Sequence, residues 1–124
     1  MRVFKTKWFA RFARKERISD DRLAGAVREI ENGLNDGDLG QGLLKKRIGR
    51  SGEGKRGGYR TILVYRIKSR VVFVYGFPKS AKSNLNALEL EAYRKLAKVY
   101  LSLKDAAITK AINAGELIEV DYHD

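Results

Sequence analysis

Two stretches near the middle of the chain, residues 59–68 (YRTILVYRIK) and 70–77 (RVVFVYGF), decide the fold. Both are dense in β-branched and aromatic residues, which is typical of strands, and a tight connection around Ser69 joins them. Leu43–Arg50 is a further candidate strand just before them. Three consecutive strands with short links predict an antiparallel meander.

The N-terminal segment has the spacing of an amphipathic helix. Phe4, Trp8 and Phe12 recur every four residues, so a helix is expected from residue 5 to about residue 17. We interpret this aromatic stripe as core packing rather than as a platform on which bases stack. A short strand at residues 2–4 is expected before the helix.

A second helix is predicted to begin after Ser19, a typical N-cap residue. Asp20 and Asp21 then complement the positive end of the helix dipole. The helix is expected to end at Asn32-Gly33, and segment 35–42, rich in Gly and Asp, is typical of a loop.

The C-terminal third is also predicted to be mainly helical. Asn86 and Glu89 have the spacing of a capping box, and apolar residues continue at helical spacing to Leu103. A short helix is expected at about 105–114 and a last strand at 117–120. Helices, then strands, then helices predict the α+β class.

Composition excludes several classes of protein. The chain has 124 residues, 44% of them apolar, which suits a single domain spanning residues 1–124. It has no cysteine, which excludes thiolate metal sites. Its one histidine, His123, lies next to the C-terminus, which disfavours a Ser-His triad. Its start lacks the apolar stretch of a signal peptide and no long apolar run follows, so the cytoplasm is expected.

Positive charge is concentrated in the central third. Residues 41–82 hold twelve Lys/Arg against one Asp/Glu, a net charge of +11, which equals the net charge of the whole chain. Clustered Lys/Arg attract phosphates and release condensed counterions on binding. The pattern indicates a nucleic acid or an acidic partner, and the alternative is a basic solvated surface without a specific ligand.

Residues 49–60 (GRSGEGKRGGYR) come within one letter of a nucleotide-binding P-loop. Arg56 stands where the P-loop requires Ser or Thr, however, and a strand rather than a helix follows. We interpret the segment as a pliable basic connection between two antiparallel strands that closes over a polyanion. The alternative is a merely solvated hairpin loop.

Strand parity divides the central side chains between two faces. Lys45 and Arg47 share one side of their strand, and Lys46 lies on the other. In the next strand, the residues expected to share a face are Arg60, Ile62, Val64 and Arg66. In the third strand, they are Val71, Phe73, Tyr75 and Phe77. We expect one apolar face under the helices and one rim of cations and aromatic rings, a combination that suits single-stranded RNA.

These residues resemble the RelE/HigB group of bacterial toxins from type II toxin–antitoxin pairs, and within it the HigB-like branch. The resemblance is carried by residues 41–48 (QGLLKKRI), 54–60 (GKRGGYR) and 74–82 (VYGFPKSAK). HigB-like members share a G-L-x-K-x-R strand, a basic Gly-rich loop that ends in G-G-x-R and a Tyr-Gly-x-x-K exit. The likeness covers most of residues 1–105.

The resemblance implies a RelE-like fold, with N-terminal helices packed on a small antiparallel sheet and a C-terminal helix. It implies an mRNA endoribonuclease that acts at the ribosomal A site without a metal or another cofactor. In this family the ribose 2′-OH attacks the adjacent phosphorus. The implied partners are mRNA, the ribosome with its rRNA, and a cognate antitoxin, expected to be a helix-turn-helix protein; no membrane is implied.

The motif positions also imply catalytic residues. Arg60 matches the family's phosphate-binding arginine, and Lys79 matches the exit lysine. Lys45 and Arg47 match the basic pair of the preceding strand, with Lys45 the candidate base and Arg47 a phosphate clamp. Histidine is effectively absent, so a lysine or a backbone-steered hydroxyl has to handle protons. Neighbouring cations disfavour the charged form of a lysine, which suits it to this role.

Six further residues are predicted to bind RNA: Lys46, Lys55, Arg56, Tyr75, Phe77 and Lys82. Lys46 replaces Lys45 as the base if the strand is rotated by one residue. The two aromatic residues are candidates for stacking a base, with core packing as the alternative.

The chain departs from the family at the position of a tyrosine that several members use in catalysis. Ser83-Asn84-Leu85 occupies that region, which leaves the general acid without an assigned residue. His123 lies in an acidic tail and is expected to be a surface residue. Two other functions stay open: a ParE-like toxin that poisons DNA gyrase, and an RNA-binding module without catalysis.

Overall fold

The computed structural model describes the backbone of residues 1–50 and 54–123, and the side chains of residues 1–49 and 58–123. The described chain contains, in order, β1 (Arg2–Thr6), α1 (Lys7–Glu16), α2 (Asp20–Glu31), β2 (Gly37–Gly40), β3 (Leu43–Arg50), β4 (Gly54–Arg66), β5 (Arg70–Pro78), α3 (Ala87–Ser102), α4 (Asp105–Asn113) and β6 (Leu117–Val120).

The strands form one sheet in the order β2-β3-β4-β5-β1-β6. The antiparallel meander β3-β4-β5 is confirmed, and so is the α+β class. The sheet as a whole is mixed rather than antiparallel, because β1 pairs parallel to β5, with Val3 opposite Val71. Strand β6 then pairs antiparallel to β1, so both ends of the chain extend the central meander. Segment 35–42, predicted to be a loop, contains β2.

The first helix begins two residues later than the spacing predicts. Phe4 lies in β1, and Thr6 caps α1 by accepting a 3.1 Å hydrogen bond from the Phe9 backbone N–H. Phe9 is fully buried, whereas Trp8 keeps 46% of its surface exposed. The expectation that Trp8 belongs to the core is therefore wrong, since the strand at Phe4 breaks the four-residue repeat.

The predicted caps of α2 and α3 are confirmed. The Ser19 side chain accepts from the Arg22 backbone N–H at the start of α2. Asn86 and Glu89 form a reciprocal capping box at the start of α3. Arg70 secures the other end of α3, where its guanidinium donates to the carbonyl oxygens of Tyr100 and Leu103.

Both faces of the sheet are covered by helices. One core cluster contains buried residues of α1 and α2, packed with Leu63 and Phe73. The second contains Ala97 of α3 and Ile108 of α4, packed with Ile62 and other residues of the opposite face. The expectation of a single helix-covered face is wrong, because the C-terminal helices fold back over the second face.

A β-bulge in β5 reverses the predicted parity of its second half. Ile62 pairs with Tyr75 but the next residue, Leu63, pairs with Phe73, so Val74 is an extra residue on β5. Tyr75 and Phe77 therefore lie on the same face as Ile62, whereas strand parity predicts that they share a face with Val71 and Phe73. The bulge brings two aromatic rings to the face that carries Arg60.

The glycine at position 76 is required by the close approach of Phe12. A Cβ there would lie 2.5 Å from Phe12 Cε2. Gly76→Ala is therefore expected to destabilise the fold by about 1–3 kcal/mol through overpacking. Gly25→Ala in α2 is the matched control, because a Cβ there meets nothing within 4 Å; a gain of up to about 1 kcal/mol is expected from helix propensity. Urea unfolding of both variants measures the difference, and equal effects would contradict the packing at Gly76.

Candidate nucleic-acid interface

Three cations predicted from the sequence line one small pocket on the face of the sheet that α3 covers in part. The pocket has a volume of about 210 Å³ and is lined by Asp36, Lys45, Arg47 and Arg60. The strand register brings them together, since Arg47 pairs directly with Arg60 across β3 and β4. Adjacent cross-strand side chains on one face approach closely, so the positive charges converge.

Asp36 anchors Arg47 within this pocket. One carboxylate oxygen of Asp36 accepts from the Arg47 backbone N–H at 2.7 Å, and the other accepts from Arg47 Nε at 3.0 Å. Because the bond from the guanidinium uses Nε, Asp36 fixes the direction of the guanidinium at its inner edge.

The environment keeps the Asp36 carboxyl ionised. Burial acts to raise its pKa, but the hydrogen bonds from Arg47 and the nearby charge of Lys46 outweigh burial, and the pKa lies below its ordinary value of 3.8. The pocket therefore holds one fixed negative charge beside its three cations.

Lys45 is anchored from the other side by the segment that follows β5. Its ammonium Nζ donates to Asn84 Oδ1 at 2.9 Å. Asn84 belongs to Ser83-Asn84-Leu85, the stretch that lacks the tyrosine expected from the resemblance, and it contributes to the pocket through an amide. The amide oxygen holds the lysine in place without neutralising its charge.

Arg60 contains a buried nitrogen without a partner. The Nη1 atom has no hydrogen bond within the part of the chain that the structure describes. A buried donor left unsatisfied costs free energy, and a guanidinium does not lose its proton to avoid that cost. An anion in the pocket would satisfy this donor and offset the repulsion between Arg60 and Arg47.

Lys82 covers the aromatic rings next to the pocket. Its ammonium donates to the Glu89 carboxylate at 2.6 Å and lies 5.3 Å from the Tyr75 ring centroid and 5.2 Å from that of Phe77. The bond to Glu89 raises the pKa of Lys82 above its ordinary value, so this side chain is a permanent cation. Phe77 is only 4% exposed, which leaves little ring surface for the predicted base stacking.

Lys46 does not lie with the other cations. It is 2% exposed on the opposite face, where its ammonium donates to the Leu34 carbonyl oxygen and forms a 2.8 Å ion pair with Glu29. Strand parity places it there, and its contacts serve the packing of α2 against β3. The structure thus gives Lys46 a structural setting rather than an RNA-facing one.

The remaining predicted residues have different positions. Lys79 is exposed at the end of β5, where its backbone N–H donates to the Gly58 carbonyl. The side chains of Lys55 and Arg56 lie outside the described residues. His123 is exposed in the tail, as expected of a surface residue, and its Nε2 lies 3.2 Å from Asp121 Oδ1.

Sequence reasoning missed Asp36 and Asn84 because neither carries a local signal. Asp36 lies in a Gly/Asp-rich segment typical of loops, and Asn84 stands where the family pattern is broken. Only the register of β2 against β3 and the return of segment 79–86 over the sheet bring them to the pocket. The one hint that the sequence offered for Asp36 was an acidic residue shortly before a strand that carries several cations.

Residues 1–50 and 54–123 contain no cluster of three His, Cys, Asp or Glu side chains placed to hold a metal ion. Within the same ranges, no helix combines the length and the apolar character needed to cross a bilayer. The excess of positive charge in the pocket favours an anionic ligand.

The fold and the pocket define a small α+β protein with a cationic site on a helix-covered sheet. A family model described as the RelE toxin of the RelE/RelB toxin–antitoxin system matches residues 1–120. The chain therefore belongs to the RelE toxin family, whose members pair with an antitoxin. Comparison with curated proteins gives no match.

The ionised Asp36 predicts acid-sensitive stability. A depressed folded-state pKa stabilises the fold above the carboxyl's ordinary pKa, and this contribution is lost as the pH falls through the folded-state value. Asp36→Asn is expected to lower the free energy of unfolding at neutral pH by about 1–2 kcal/mol and to have little effect in strong acid. Urea titrations across this range measure it, with the exposed Asp38→Asn as control. A difference from wild type that persists unchanged in strong acid would contradict the assignment.

Proposed function

We propose that this RelE-family toxin is an mRNA endoribonuclease that inhibits translation in the cytoplasm, most efficiently on the ribosome. The observation that carries the proposal is the pocket in which Lys45 and Arg47 converge with Arg60, whose Nη1 has no partner among the described residues. Three converging cations suit a phosphate whose charge increases as it is attacked.

The proposed reaction breaks one phosphodiester bond without a metal. The ribose 2′-oxygen loses its proton and forms a bond to phosphorus, and the bond from phosphorus to the 5′-oxygen breaks. The leaving 5′-oxygen takes up a proton, so the products are a 2′,3′-cyclic phosphate and a 5′-hydroxyl. The step needs no oxidant and no second substrate.

Each residue of the pocket has a proposed role that follows from its contacts. Arg60 binds the scissile phosphate through Nη1, which has no partner in the described part of the chain, and Arg47, oriented by Asp36, clamps a second phosphate oxygen. Lys45, held by Asn84, is the proposed proton acceptor for the 2′-OH, a role that requires its neutral amine form. The preorganised guanidinium groups of Arg47 and Arg60 stabilise the transition state because they need no reorganisation during the reaction.

Two exposed or semi-exposed lysines extend this site. Lys82 is held beside the aromatic rings by Glu89 and contributes a permanent positive charge. Lys79, at the exit of β5, is proposed to contact the leaving side of the phosphodiester or the RNA backbone. A helix-turn-helix antitoxin is the proposed partner that silences the toxin, and the ribosome with its rRNA is the proposed setting of cleavage.

The two alternative functions account less well for the pocket. A gyrase poison has no need for a phosphate-sized cluster of cations with an unsatisfied arginine. An RNA-binding module without catalysis would be served by exposed Lys/Arg, and it does not require Arg60 Nη1 to be buried at a single point.

Arg60→Ala tests the proposal in cells. Induction of the intact chain is expected to arrest growth and to create new mRNA 5′ ends. The variant is expected to relieve the arrest and to lower the cleavage rate by about 10²–10³-fold, because one preorganised donor to the transition state is lost. The matched control is Arg66→Ala, which removes an exposed arginine from the same strand.

The outcomes separate the three functions. New 5′ ends with the intact chain and Arg66→Ala, but not with Arg60→Ala, support the nuclease. Growth arrest with DNA damage and no new ends would establish the gyrase poison instead. The purified chain could instead bind RNA with an affinity that falls steeply with salt and form no cleavage product on translating ribosomes. That result would support the RNA-binding module without catalysis.

A further inference from the structure

The exposed Trp8 lies outside the pocket but in contact with its aromatic border. Its indole stacks on Phe12 with a centroid distance of 5.5 Å and an interplanar angle of 13°. It also contacts Tyr75 at 4.9 Å, and Tyr75 contacts Phe77 at 5.8 Å. Phe77 pairs with Arg60 in the sheet, so a continuous row of rings leads from Trp8 to the pocket.

Trp8 lies beside the part of β5 that has no pairing strand on the β1 side among the described residues. Strand β1 pairs with β5 only as far as Phe73, and α1 begins immediately beyond β1. The first turn of α1 therefore lies beside the second half of β5, which carries Tyr75. This geometry explains how a tryptophan expected in the core keeps nearly half of its surface in solvent.

A groove beside Trp8 combines aromatic and cationic side chains. It has a volume of about 290 Å³ and is lined by Trp8, Arg11, Phe12 and Lys15. Arg11 and Lys15 are exposed, and neither forms an ion pair with the described side chains, those of residues 1–49 and 58–123. The spacing of these residues places them along one side of α1, where no acidic residue occupies the first turn.

We propose that Trp8, Arg11 and Lys15 form a second RNA subsite, in which the indole stacks on a nucleobase and the two cations bind the adjoining phosphates. The inference rests on the proposed nuclease function, since the row of rings joins this groove to the cleavage pocket. It assigns base stacking to Trp8, because Lys82 covers the rings of Tyr75 and Phe77.

Single-stranded RNA fits this groove better than an acidic peptide does. Proteins usually bind unpaired bases on a flat aromatic side chain with cations nearby. Here the indole and the two cations lie on one face of α1. An acidic peptide would be bound by the charges of Arg11 and Lys15, and it would not need the exposed face of the indole. Continuity with the cleavage pocket also favours the same strand as the ligand.

The single tryptophan of the chain makes the proposal directly measurable. The purified full chain is titrated with a short single-stranded RNA that carries 2′-O-methyl groups, which prevents cleavage. Stacking is expected to quench the emission of Trp8. The same oligonucleotide with abasic sites, which keeps the phosphates, is expected to bind more weakly and without quenching.

Variants measure how much the indole contributes to binding. Trp8→Ala is expected to weaken binding of labelled 2′-O-methyl RNA by roughly 5- to 50-fold, within the range found for loss of one base–aromatic stack. Trp8→Phe keeps a ring against Phe12 and Tyr75 and is expected to stay within about threefold of wild type. Leu88→Ala, which removes an exposed apolar side chain from α3, is the control and is expected to bind normally.

The outcomes distinguish this subsite from the proposed function. Unchanged affinity of Trp8→Ala together with no quenching would overturn the subsite, even where the intact chain cuts RNA. RNA could quench Trp8, and Trp8→Ala could bind RNA more weakly, while the intact chain cuts no RNA. That result would support the subsite and overturn the proposed nuclease function. Loss of binding to an acidic antitoxin peptide in Trp8→Ala, with RNA binding intact, would assign the groove to a protein partner and overturn the proposal.

Discussion

The repulsion between Arg47 and Arg60, which pair directly across β3 and β4, is the constraint around which the site is organised. Like charges opposite one another on a sheet destabilise it. Asp36 compensates Arg47 through two hydrogen bonds, whereas Arg60 Nη1 has no partner in the described structure. The repulsion is thus relieved at Arg47, whereas at Arg60 an anionic ligand would supply the missing charge.

The rest of the fold maintains this arrangement. The bulge at Val74 turns Tyr75 and Phe77 toward the face of Arg60, and Lys82 is fixed over their rings by Glu89 at the start of α3. Arg70 holds the opposite end of α3 by its last carbonyl groups. The helix is therefore secured at both ends, which keeps the segment carrying Lys82 beside the pocket.

Local features of the sequence predicted the secondary structure well. β3 has the predicted bounds, and the caps at Ser19 and Asn86 form because they depend only on side chains a few residues apart. Pairing between distant strands could not be predicted in this way. The parallel contact of β1 with β5 joins residues about 70 positions apart in the chain, and no local pattern encodes it.

The same limit applies to the site. Strand parity correctly placed Lys45 and Arg47 together and Lys46 on the opposite face. It failed for Tyr75 because an extra residue in a strand reverses every side chain after it. The charge of the central third was also an incomplete guide, because Lys46 and Arg70 are buried and bonded to the protein itself.

Several partners of the site come from outside the basic segment. Asp36 reaches the pocket through the return of β2 along β3. Trp8 reaches only the neighbouring ring of Tyr75, through the start of α1 beside the second half of β5. Composition and motif spacing describe neither contact. The resemblance to RelE-like toxins drew attention to the strand cations, and the tertiary structure adds the side chains that orient them.

The most direct test of the account is a crystal structure of the full chain bound to an uncleavable 2′-O-methyl RNA. We expect a phosphate oxygen within about 3 Å of Arg60 Nη1, with Arg47 still bonded to Asp36 and Lys45 facing the same phosphate. RNA bound elsewhere on the protein, with Arg60 Nη1 still lacking a partner, would contradict the claim that this pocket receives the scissile phosphate.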